Sequence, residues 1–186
     1  MRGESAAALR AQGVSVISFR LGASVLVALF CLVGACSRSE DSVPGDVVWE
    51  ECYGGGQSDF CHDLRQTADG GYILVGSTSS FGAGSLDVYL VRTDDDGDTL
   101  WTRTYGGLAD DAAYAVRQTV DGGFVIVGYT ESVEGGGPAQ AFLFLTDRIG
   151  DTVWTRCYGL TGDDKFRSVV ECAEGFAAAG YVHTPG

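Results

Sequence analysis

Residues 65–76, Arg65-Gln66-Thr67-Ala68-Asp69-Gly70-Gly71-Tyr72-Ile73-Leu74-Val75-Gly76, return at 117–128 as Arg117-Gln118-Thr119-Val120-Asp121-Gly122-Gly123-Phe124-Val125-Ile126-Val127-Gly128. In both copies an Asp-Gly-Gly triplet precedes an apolar run. Glycine accepts positive φ at little steric cost, so the triplet marks a tight turn and the run a strand. A third copy, one residue shorter, reads Cys172-Ala173-Glu174-Gly175-Phe176-Ala177-Ala178-Ala179-Gly180.

Outward from this block, Trp49, Trp101 and Trp154 open a second one. It reads Trp49-Glu50-Glu51-Cys52-Tyr53-Gly54-Gly55, Trp101-Thr102-Arg103-Thr104-Tyr105-Gly106-Gly107 and Trp154-Thr155-Arg156-Cys157-Tyr158-Gly159. The chain is therefore a tandem repeat of about 52 residues. Each unit reads as four short strands. In the first complete unit these are expected near 61–67, Tyr72–Thr78, Val88–Thr93 and Leu100–Tyr105, with the turn Asp94-Asp95-Asp96-Gly97-Asp98 before the last. Further strands are expected at Val47–Tyr53, Phe166–Cys172 and Phe176–Val182, eleven in all after the N-terminal segment. The runs Tyr72-Ile73-Leu74-Val75 and Ala141-Phe142-Leu143-Phe144-Leu145 are apolar at successive positions, so both faces of those strands must be covered. Without an amphipathic helix to cover them, the expectation is an all-β protein of four-stranded antiparallel sheets packed on further sheets.

The tryptophan, Tyr-Gly-Gly and Asp-Gly-Gly-aromatic blocks resemble those of bacterial β-propeller repeat families. The resemblance covers residues 47–183 and implies that each unit is a blade; a β-sandwich or β-solenoid is the alternative. Even a four-bladed ring needs about sixteen strands. The expectation for 47–186 is thus an incomplete ring, either a fragment of a longer protein or a chain that self-associates.

The N-terminus reads differently. Arg2, Arg10 and Arg20 precede the apolar run Leu21–Ala35, which ends in Leu32-Val33-Gly34-Ala35-Cys36-Ser37. The run is shorter than the roughly 20 residues needed to span a bilayer. It has the order of an export signal. The small residues before Cys36 resemble the lipobox of bacterial lipoproteins, which implies cleavage after residue 35, lipid on Cys36 and attachment to the membrane by acyl chains. Ser37 resembles the outer-membrane sorting pattern of such proteins. Residues 36–46 then read as the lipidated cysteine and a flexible tether, and 47–186 as the repeat domain.

The whole chain carries a formal charge of −13, and loss of Arg2, Arg10, Arg20 and Glu4 with residues 1–35 takes it to −15. Such a surface repels phosphate backbones, so nucleic acid is not an expected partner.

Candidate chemistry is sparse. Beyond Cys36, the cysteines Cys52, Cys61, Cys157 and Cys172 allow three disulfide pairings in an oxidising exterior, of which Cys52–Cys61 with Cys157–Cys172 is the local one. Asp94, Asp96 and Asp98 superficially resemble a calcium loop. Their counterpart Asp147-Arg148-Ile149-Gly150-Asp151 keeps only the outer aspartates, which favours a hairpin turn. Asp59, Asp111 and Asp164 recur after the Tyr-Gly blocks and are expected to accept backbone N–H bonds there. The pair His62-Asp63, with equivalents Tyr114-Ala115 and Arg167-Ser168, has no nucleophile in view and reads as non-catalytic. No cofactor is implied. The expected role is that of a lipid-anchored cell-envelope protein that binds a protein or glycan. The competing expectation is a fragment of a propeller-fold hydrolase or lyase.

Overall fold

The computed structural model describes residues 14–21, 24–30, 47–133, 137–159 and 162–183, with side chains from Trp49 onward. The fold is all-β. Strands β1 (Val14–Leu21) and β2 (Ser24–Phe30) form an antiparallel hairpin, and β1 also pairs with β3 (Val47–Tyr53). The first two strands lie within the segment read as an export signal. Cys36 and residues 37–46 lie outside the described residues.

Strands β4 (Asp59–Gln66), β5 (Tyr72–Thr78), β6 (Asp87–Thr93) and β7 (Thr99–Tyr105) form one sheet in sequential order. Strands β8 (Asp111–Gln118), β9 (Phe124–Thr130), β10 (Gln140–Thr146) and β11 (Thr152–Tyr158) form a second, and β12 (Lys165–Cys172) with β13 (Gly175–Tyr181) a two-stranded third. All pairings are antiparallel. The strands read from the sequence are present within one or two residues of their expected limits. None of these sheets closes into a barrel.

The apolar runs do what their pattern requires. Every residue of β5 and β6 is buried. Successive side chains of a strand point to opposite faces, so Ile73 and Val75 enter one core and Tyr72 and Leu74 another. Ile73, Val75, Val88 and Leu90 pack on Ala113, Val116, Phe124, Ile126, Phe142 and Phe144 of the second sheet. On the other face Tyr72, Leu74, Tyr89 and Val91 pack with Tyr53 and Trp49 of β3. A third core joins Val125, Val127 and Leu143 to Val169, with Phe166 and Phe176 at its margin. Each large apolar side chain buried in this way contributes about 1.5–3 kcal/mol.

The tryptophan–tyrosine blocks lock one unit to the next. Tyr53 donates its hydroxyl to the Gly97 carbonyl at 2.6 Å, and Tyr105 donates to Gly150 at 2.5 Å. Gly97 and Gly150 both have φ of +87°, and a Cβ on either would approach Trp49 or Trp101 to about 3.0 Å. Only glycine suits a turn that is left-handed and also faces an indole at that distance. The aromatic side chains of the repeat are therefore fasteners between sheets.

The Asp94 loop is a turn of the same kind. Asp94 Oδ1 accepts the amides of Asp96 and Asp98, as Asp147 Oδ1 accepts those of Ile149 and Asp151. Among the described residues no three His, Cys, Asp or Glu side chains converge as a metal would require.

One cysteine pairing is corrected. Cys157 and Cys172 are exposed free thiols. Tyr158, next to Cys157, packs its ring 5.5 Å from that of Phe166 at the start of β12. Cys172 ends that strand six residues later, roughly 20 Å away at strand rise, and a disulfide needs Cα atoms within about 7 Å. Short separation in sequence suggests that they pair; the extended strand holds them apart. Of the other two, Cys52 lies on β3, and Cys61 on β4, where its thiol donates to the Asp63 carbonyl at 3.4 Å.

Candidate functional site

The first strand of each unit is interrupted at the same place. In β4 the pairing with β5 steps from Cys61↔Gly76 to Asp63↔Val75, leaving His62 as the extra residue of a β-bulge. In β8 it steps from Ala113↔Gly128 to Ala115↔Val127, leaving Tyr114, and in β12 from Phe166↔Gly180 to Ser168↔Ala179, leaving Arg167. A bulge turns one side chain out of the pleat, and such bulges are common beside functional sites.

The glycines opposite explain why the bulge forms. A Cβ on Gly76 would lie 1.7 Å from the Phe60 carbonyl oxygen, one on Gly128 2.0 Å from that of Ala112, and one on Gly180 2.0 Å from that of Lys165. The bulged backbone occupies the space a side chain would fill. Glycine inside an otherwise apolar strand is a sign of such an approach, so Val75-Gly76, Val127-Gly128 and Ala179-Gly180 are the sequence signal for these sites.

The three bulged residues meet. Strands β4 and β8 are joined by His62 Nδ1, 2.7 Å from the Ala113 carbonyl, and by Asp63, which accepts the Val116 amide at 3.2 Å and the Arg117 guanidinium at 2.7 Å. Gln118 Oε1 accepts the Ala68 amide, and one unit on Glu171 Oε2 accepts the Val120 amide. With the first strands so aligned, the His62 ring stands 5.0 Å from that of Tyr114, and the Arg167 guanidinium lies 3.8 Å from the centre of the Tyr114 ring on β8. Tyr181 lies 5.8 Å from the same guanidinium. Beside this row, Lys165 Nζ stands 3.5 Å from the centre of the Tyr129 ring, which stacks on Tyr114 at 5.9 Å.

Because a carbonyl only accepts, His62 Nδ1 carries the proton of that bond, and the side chain is exposed. Burial raises the pKa of the Tyr114 phenol, against the pull of Arg167. Tyr129 is pushed up to about 12 by burial first, with Tyr114, Asp110, Glu131 and Asp111 adding. Both phenols are therefore neutral donors at physiological pH. Asp63 is occupied by Arg117 and by Arg65 at 3.2 Å. The row offers hydrogen bonds and positive charge, and the carboxylate next to it in β4, Asp63, is taken up by the two arginines.

The recurrent aspartates have another task. Asp59 Oδ2 accepts the Gly55 amide at 2.8 Å and the Ser80 hydroxyl at 2.8 Å; Asp111 Oδ2 accepts those of Gly107 at 2.9 Å and Ser132 at 2.7 Å. These buried carboxylates close the Tyr-Gly-Gly loops. Asp111, Ser132, Tyr105, Phe142 and Cys157 also line a cavity of about 580 Å³ between the two four-stranded sheets. There burial, with the Asp111 charge, raises the Cys157 thiol pKa.

No protein-family model matches the chain, and no curated protein matches it.

Proposed function

We propose that this chain is an exported lipoprotein, held at the outer membrane by acyl chains on Cys36, whose sheets are blades of a β-propeller that binds a glycan or protein partner without catalysis. The blade reading is supported by the sequential four-stranded meanders and their face-to-face packing, with first strands brought together. The binding reading is carried by one observation. The bulges turn His62, Tyr114 and Arg167 out of their strands, His62 and Arg167 are exposed, and the three side chains form one row. A continuous row of unlike polar and aromatic side chains, backed by bulges of the kind common beside functional sites, suits recognition of an asymmetric partner.

Binding is favoured over hydrolysis or elimination because Asp63 is held by two arginines and the Cys61 thiol next to His62 is turned to the Asp63 carbonyl. The test uses the full chain and its Tyr114→Ala variant on an array of envelope oligosaccharides. Retention of the wild type that falls at least tenfold in the variant supports the reading; equal retention of both removes the row from binding. Incorporation of labelled fatty acid by the wild type and not by Cys36→Ala tests the anchor.

A further inference from the structure

Lys165 is the one lysine of a chain with net charge −13. Arg65, Arg92, Arg103 and Arg117 each lie within ion-pairing distance of an aspartate. Lys165 and Arg167 do not. Among the described residues their side chains form no ion pair or hydrogen bond, and they lie against rings: Tyr129 beneath Lys165 at 3.5 Å, and Tyr114 beneath Arg167 at 3.8 Å. The approach of the guanidinium to the Tyr114 ring is that of a cation–π contact. No acceptor among the described residues takes the guanidinium N–H donors, which leaves them for a bidentate acceptor. Holding the cation by its face removes much of the entropy loss that a free arginine incurs on binding.

Beside these cations stand Tyr114, Tyr129 and Tyr181, with His62 against Tyr114. The Tyr181 side chain is 46% exposed. Two unneutralised cations fit an anion, the hydroxyl-bearing rim fits a polyhydroxylated one, and the strongly negative chain disfavours a long polyanion. Resting on the reading of the row as a binding surface, we propose that Arg167 and Lys165 bind the carboxylate of an acidic sugar, a uronic acid within a short oligosaccharide, with Tyr181 beside its ring.

The test is calorimetric titration of the full chain with trigalacturonate, a hyaluronan tetrasaccharide and an alginate trimer, alongside methyl-esterified trigalacturonate and neutral maltotriose. At least one uronate is expected to bind, at least tenfold tighter than its ester or maltotriose, and less tightly as salt is raised. Arg167→Gln and Lys165→Gln should each weaken it at least tenfold with unchanged thermal unfolding. Equal binding of acid and ester would overturn the carboxylate inference while leaving the row a glycan site. Binding to none of the sugars would overturn both, and unchanged affinity in Arg167→Gln would overturn the assignment of the cation.

Discussion

Gly76 leaves open the space that the bulged backbone of β4 occupies: a methyl group there would stand 1.7 Å from the carbonyl oxygen of Phe60. The same relation joins Gly128 to Ala112 at 2.0 Å. Gly128→Ala is therefore expected to destabilise the protein by about 3 kcal/mol or more, in the range of substitutions that force backbone to move. At Gly56 a methyl group would meet nothing within 4 Å. Alanine should be tolerated there within about 0.5 kcal/mol. Urea unfolding of the two variants measures both.

Tyr105 holds the first sheet to the second through its bond to the Gly150 carbonyl. Tyr105→Phe keeps the ring against Phe144 and should cost about 1 kcal/mol. Burial raises the Tyr105 pKa above its ordinary value of 10.0. A group with a raised folded pKa stabilises fully below its unfolded pKa and loses that contribution as pH rises through the folded one. The wild type should therefore lose stability above pH 10 more steeply than Tyr105→Phe, measured by thermal unfolding between pH 9 and 11.

Asp69 gives the opposite dependence. It accepts the Thr67 hydroxyl at 2.6 Å and faces buried Arg92 at 2.5 Å, and the Thr67 bond first, with Arg92 assisting, lowers its pKa below 3.8. Its contribution is present above that value and lost as pH falls through the folded pKa. The advantage of the wild type over Asp69→Asn should be small, because the carboxylate is largely exposed. It should shrink as the pH is lowered from 5 to 2 in thermal unfolding.

Cys157 and Cys172 should both take up iodoacetamide in the folded protein without prior reduction. The raised pKa of Cys157 leaves less thiolate, so its labelling should be slower than that of a free cysteine in solution and should accelerate with pH. Peptide mapping after timed labelling checks both. Recovery of a Cys157–Cys172 linked peptide would contradict the strand placement.

Much of the fold is legible in the chain by itself. Strand positions follow from turn glycines and apolar runs, sheet membership follows from the 52-residue period, and burial of both faces follows from the absence of alternation in Tyr72–Val75 and Ala141–Leu145. These are local or periodic properties, set by backbone sterics and by which side chains water excludes. The tertiary structure alone decides what meets across units. His62, Tyr114 and Arg167 are 52 and 53 residues apart and unlike in chemistry, and they form a row because each glycine-backed bulge turns its residue out of the pleat and sheet packing aligns the first strands. Cys157 and Cys172 are closer in sequence yet kept apart, because eight residues of extended strand lie along β12. Sequence distance says little about either pair, since an extended strand separates its own ends while packed sheets bring distant residues into contact.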